Sequence, residues 1–158
     1  MELARKLPNR QLEVLSVEDV LKRLPLLKRI VRDLVACYEH LKKSREFLEE
    51  LTIISRKFSS SEIEETVNRL RREVTDAERM LEAYDKEARE LGSIVKDRSR
   101  GLAYFYSVRD NRKIFLVWEL RDPDNLCWHE LDETYSDRLP VDLPAGAHVS
   151  GDEFPSQD

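Results

Sequence analysis

Five consecutive residues, Trp128-His129-Glu130-Leu131-Asp132, hold the densest group of side chains able to do chemistry. On an extended strand Cys127, His129 and Leu131 share one face, and Trp128, Glu130 and Asp132 the other. His129 could act as a general base, with Cys127 beside it as a nucleophile. It could equally bind a metal, but zinc wants at least three protein ligands, and His40 and His148 are the only other histidines, one on an expected helix and one in the tail. The structural alternative is that Trp128 packs and His129 hydrogen-bonds across a sheet. We therefore name Trp128, His129, Glu130, Asp132 and Arg112 as ligand-binding candidates. No catalytic residue or metal ligand is assigned, and the cofactor is unknown.

A second group is basic. Lys96, Arg98, Arg100, Arg109, Arg112, Lys113 and Arg121 surround Tyr104, Phe105, Tyr106 and Trp118. The run Arg100-Gly101-Leu102-Ala103-Tyr104-Phe105-Tyr106 partly echoes an RNA-recognition strand, but Leu102 and Ser107 fail that pattern at its two aromatic ends. From Ile94 to Arg121 seven Lys/Arg stand against three Asp/Glu, a local +4 inside a chain of net charge −5. From Asp122 onward one basic residue stands against ten acids, a tail able to neutralise the basic patch internally. The balance is against nucleic acid as the partner.

The elements that position these groups are read from periodicity. In the 158-residue chain charged residues make up 37% and glycine numbers only four, the profile of long helices with a small apolar core. Ile63, Val67, Leu70, Val74, Ala77, Leu81, Tyr84, Ala88 and Leu91 recur at alternating steps of four and three, a coiled-coil seam. Val20, Leu24, Leu27, Val31, Leu34, Tyr38, Leu41 and Leu48 repeat the pattern, interrupted at Arg45. These seams predict helices over 16–51 and 61–91. Ser16 should cap the first, and Ser61 with Glu64 should form a capping box on the second. At 1.5 Å per residue each is on the order of 45–50 Å long. Similar lengths and a short link make an antiparallel hairpin. Pro25, past the first turn, predicts a kink. Ile30, Val35 and Cys37 widen the first helix's stripe, so its first half should touch several neighbours and the half after Tyr38 only its partner helix.

After Gly92 the period becomes two. Strands are expected at Ile94–Lys96, Leu102–Val108, Lys113–Leu120 and Leu126–Leu131, with turns at Asp110-Asn111 and Asp122–Asn125. The expected fold is therefore α+β: a long antiparallel helical hairpin followed by a three- or four-stranded antiparallel meander over 94–131, within one domain spanning 16–138. Residues 1–15 read as a loose lead-in and 139–158 as an irregular acidic tail. Both faces of the central strands are apolar, and the hairpin can cover only one. Phe105, Phe115 and Val117 on the sheet, with Tyr38 and Tyr84 on the hairpin, are thus expected at an oligomer interface, with a homodimer as its simplest form. The two cysteines lie in different elements, which suits a reducing cytoplasm. No basic-then-apolar leader opens the chain, and no apolar run approaches the roughly 18 residues of a membrane span.

Several short motifs then coincide. Leu24-Pro25-Leu26-Leu27, Gly92 before Val95-Lys96-Asp97, Gly101-Leu102, Leu116-Val117-Trp118 and Trp128-His129-Glu130-Leu131-Asp132 together resemble the bacterial and archaeal family called domain of unknown function 2203. The likeness runs from about Ser16 to Val141. It implies the organisation just described, and the family has no established activity, substrate or cofactor. Against the family's usual pattern, Tyr104 replaces an acid, Val117 replaces a cysteine, and Arg138-Leu139-Pro140 stands for Arg-Arg-Pro. The reading that follows is a non-catalytic, self-associating scaffold or protein-interaction module. The alternatives are a ligand- or metal-binding protein or enzyme using His129, Glu130 and Arg112 and, behind that, an RNA binder.

Overall fold

The computed structural model describes residues 12–149. Two helices, α1 (Val17–Lys57) and α2 (Ser61–Glu90), precede strands β1 (Ser93–Asp97), β2 (Leu102–Arg109), β3 (Arg112–Glu119), β4 (Asp122–Glu130) and β5 (Leu139–Pro140). The strands form one antiparallel sheet in the order β1-β2-β3-β4-β5. The class is α+β, as expected.

Ser16 caps α1 with a reciprocal box: its hydroxyl accepts from the Asp19 N–H at 3.0 Å, and its own N–H donates to the Asp19 carboxylate at 3.3 Å. The acids of that first turn sit at the positive end of the helix dipole. Pro25 lies inside a helix assigned without a break. α1 also continues to Lys57, two turns beyond the expected end at 51, because Thr52, Ile53 and Ile54 tolerate helix and no glycine or proline intervenes. The cap of α2 falls one residue earlier than expected: Ser60, not Ser61, accepts from the Ile63 N–H at 3.1 Å. Gly92 follows α2 with φ +87°, the left-handed conformation a helix-terminating residue needs. Arg23 of α1 donates to the Leu91 carbonyl at 3.0 Å, placing a cation where the α2 carbonyls end unpaired.

At 1.5 Å per residue α1 is about 60 Å long and α2 about 45 Å. The three-residue link 58–60 aligns them at the tip, so the surplus of α1 lies at its start and crosses the sheet. Val20, Leu24, Leu27 and Val31, all fully buried, pack there against Ala103, Phe105, Leu116 and Trp118. Farther out, Leu34 and Leu41 meet Ala77 and Leu81. The α1 seam then passes through buried Ser44 rather than Arg45, whose guanidinium is exposed and paired with Glu78 at 2.7 Å.

In the sheet, Asp110 and Asn111 both adopt positive φ, 52° and 66°, the geometry of a tight hairpin turn. The next turn is Leu120-Arg121, not Asp122–Asn125. Asp122 opens β4 opposite Glu119, while Leu126 already pairs with Trp118, so residues 123–125 bulge from the ladder. The Trp118 indole N–H holds that bulge by donating to the Pro123 carbonyl at 3.1 Å. The described parts of the expected lead-in and tail join the fold more closely than expected. Leu15 is buried and its N–H donates to the Tyr106 carbonyl at 2.9 Å, while Leu139–Pro140 pairs with Cys127 and Trp128 as β5. The rest of the expected lead-in (1–11) and tail (150–158) lies outside the described residues.

Candidate functional site

Alternation along β4 separates the expected ligand-binding residues. Trp128 turns toward α1 and packs at the edge of the main core, with the Arg109 guanidinium 4.5 Å from its ring centre. His129 turns to the outer face and is 2% exposed. Its Nδ1 lies 2.7 Å from the Glu130 carbonyl, which can only accept, so Nδ1 carries the proton; its Nε2 lies 3.2 Å from the Tyr104 hydroxyl. Tyr104, Phe115 and His129 stand edge-on to one another with centroids 5.0–5.6 Å apart. That is the geometry of aromatic packing. Arg112 and Glu130 form an ion pair, with a second contact from Nε at 3.3 Å. Asp132 is exposed. Of the five residues, only Arg112 and Glu130 are joined side chain to side chain, and those two groups satisfy each other.

Chemical activation points the wrong way here. Burial pushes the Cys127 thiol above its ordinary value, with Arg138 opposing only in part. Burial likewise raises the Tyr104 hydroxyl. A nucleophilic thiol needs the reverse shift. Among the described residues no group of three or more His, Cys, Asp and Glu side chains is placed to hold a metal ion.

The outer face holds a second polar cluster that periodicity did not reveal. Glu119 is buried among apolar strand residues. One carboxylate oxygen accepts from Arg100 Nε at 2.8 Å, and the other from the Tyr135 hydroxyl. Arg138 lies 3.9 Å from the Tyr135 ring centre and donates to the Tyr135 carbonyl at 3.1 Å. Arg100 lies over the same ring at 5.0 Å. Burial first, then the bond to Glu119 and its charge, push the Tyr135 hydroxyl up to about 12. The signal available in the sequence was Glu119 itself, an acid at the end of an apolar strand that must find partners.

The residues expected at an oligomer interface fall in different surroundings. Tyr135 and neighbouring side chains lie on Leu102, Tyr104 and Val117, which are 6%, 7% and 1% exposed in the single chain. Val117 is therefore covered from within. Phe105 is 1% exposed and faces the opposite way, into the core beneath α1. Phe115 is half-buried in the aromatic cluster, Tyr84 packs between two core clusters, and Tyr38 borders a groove with Asp85, Arg89 and Arg98.

Five of the seven basic groups are also occupied. Arg98 pairs with Asp85, Arg100 with Glu119 and Arg112 with Glu130, while Arg109 lies over Trp128 and Lys96 over Tyr104. Exposed apolar side chains are scattered over the described residues, Leu26, Val108, Leu131 and Leu139 among them, and they gather at the hairpin tip. Phe47, Ile54 and Phe58 are 48%, 42% and 65% exposed, and half-buried Leu51 lies between them.

No helix among the described residues is long and apolar enough to cross a membrane. Neither the curated proteins nor the solved structures gave a match. A family model, described as an uncharacterized conserved protein (DUF2203), matches residues 14–141. That span takes in the helical hairpin, all five strands and the segment bearing Tyr135. The chain therefore belongs to the DUF2203 family.

Proposed function

We propose that this protein is a non-catalytic, self-associating scaffold in which the sheet is a rigid base and the helical hairpin is the arm that meets a second copy. The observation that carries this reading is the open stripe at the tip. Phe47, Leu51 and Ile54 are spaced four and three, which holds them on one side of α1, and Phe58, the extended C-cap residue, follows four positions on. At 3.6 residues per turn that side lies roughly 90° around from the seam occupied by α2. A helix that serves only its partner needs one apolar stripe, and the tip of α1 has two.

By this reading the sheet is not the contact surface, since Leu102, Tyr104 and Val117 at the centre of its outer face lie beneath Tyr135 and its neighbours. The weaker alternative, a small-ligand site around His129, Glu130 and Arg112, would have to displace bonds those residues already make to the fold. A reducing, cytoplasmic setting fits the two free thiols, Cys37 and Cys127. Sedimentation equilibrium of the full chain at tens of micromolar tests the reading. A dimer is expected, and a clean monomer would overturn it.

A further inference from the structure

Resting on that reading, we infer that two copies join through α1 alone, antiparallel about a two-fold axis between Thr52 and Ile53. Phe47 then lies opposite the second copy's Phe58, and Leu51 opposite the second copy's Ile54. The spacing permits this occupant, and the charges beside the stripe select it. Phe47, Leu51, Ile54 and the C-cap Phe58 read four, three, four in either direction, so an antiparallel copy can present a matching residue at each layer. An isologous two-fold interface has that property: each residue of a contacting pair makes the same contact from the other side. A heterologous partner would not need it.

The charges agree with the register. In heptad terms Phe47 and Ile54 occupy d, Leu51 and Phe58 occupy a, and the exposed Glu50 and Lys57 both occupy g. Leu48 and Ser55, at e, lie on the side facing α2. With Leu51 level with the second copy's Ile54, Glu50 falls two residues short of level with the second copy's Lys57, an axial offset of about 3 Å. Two-fold symmetry makes the contact twice, so two opposite-charge pairs flank the stripe. The α1 segment from His40 to Phe58 carries five Lys/Arg against three Asp/Glu, which leaves no large like-charge field to oppose the approach.

The register predicts a charge-swap result that a general hydrophobic association would not give. Glu50→Lys and Lys57→Glu are substitutions of exposed residues outside the core and should leave the helical circular dichroism unchanged, with Lys57→Glu lowering the monomer's thermal midpoint slightly because it reverses a cation in the last turn of α1. Each alone sets like charges against each other at both contacts, and should weaken the homodimer roughly tenfold or more at low salt. Mixing the two single variants restores opposite charges at both contacts, so a heterodimer of near wild-type affinity should form. The double variant should again form a homodimer. The measurement is sedimentation equilibrium at low ionic strength, repeated at high salt, where the differences should shrink. If the wild type dimerises but neither single variant weakens it, or if the mixture fails to recover, this register is wrong while self-association stands. If the wild type is a monomer, the scaffold reading falls and this inference with it. As a second arm, Leu51→Glu should abolish association, and its retention would exclude the stripe.

Discussion

Replacing Tyr135 with phenylalanine tests how the outer face of the sheet is closed. The ring would remain between Arg100 and Arg138, and only the hydroxyl that donates to buried Glu119 would go. Glu119 would keep its 2.8 Å bond from Arg100. A hydrogen bond to a charged group contributes about 1.5–3 kcal/mol. At 2–4 °C per kcal/mol for a chain of this size, the thermal midpoint should fall by about 3–12 °C. The effect should also depend on pH. The tyrosine's ordinary value is 10.0, and in the fold it is pushed up to about 12. A folded-state value above the unfolded one means that the protonated hydroxyl favours folding. That contribution is whole below pH 10 and is lost as pH rises toward 12. Two units correspond to at most about 2.7 kcal/mol. Tyr135 is partly exposed, so solvent screening brings this to about 1–2 kcal/mol. Burial also raises Tyr104 and Tyr84, so both proteins should weaken in alkali, the wild type more steeply. Urea unfolding followed by the fluorescence of Trp118 and Trp128 at pH 8 and near pH 12 gives the comparison. The wild-type advantage should be present at pH 8 and much reduced at the higher pH. No advantage at pH 8, or an equal advantage at both, would refute the argument that this hydroxyl closes the sheet through Glu119.

Two glycines offer a matched pair. Gly101 has φ +70°, and a Cβ there would lie 2.7 Å from Leu120 Cβ and 2.9 Å from Val31 Cγ1. Gly101→Ala should therefore combine the left-handed penalty with overpacking, about 2–5 kcal/mol in all. Gly146 has φ +80° and nothing within 4 Å of its added Cβ, so Gly146→Ala should lose only about 1–2 kcal/mol. Equal losses by denaturant unfolding would show that the β1–β2 turn does not press on α1. Because burial raises both thiols, Cys37 and Cys127 should react with a thiolate-selective reagent at pH 8 more slowly than free cysteine, and both should speed up in denaturant. Rapid labelling of Cys127 in the native protein would reopen its reading as a nucleophile.

The helices were legible because their signal is local and repeated. A stripe of Val20, Leu24, Leu27 and Val31 must turn inward whatever it meets, and Ser16 with Asp19 starts the helix by contacts three residues apart. The strands were legible for the same reason, with a period of two and a turn at Asp110-Asn111 that few other residue pairs would favour. Their boundaries were less so. The β3–β4 turn was misplaced because Asp122–Asn125 has turn chemistry, yet the pairing of Trp118 with Leu126 turns that stretch into a bulge.

What the sequence by itself determined was that two amphipathic rods carry an antiparallel sheet with apolar residues on both sides, for this follows from spacing alone. Only the tertiary structure decided which of those residues stay open. It brought Tyr135 onto Leu102 and Val117 through Glu119, a partner 16 positions away, and closed the sheet that periodicity had left bare. It joined His129 to Tyr104 across 25 positions, engaging a histidine that in sequence looked available for chemistry. It left the tip of α1 uncovered, because α2 can reach only one side of a helix. Spacing along a chain records which way a side chain faces, whereas its occupancy depends on contacts between residues far apart in sequence, and no local pattern encodes those.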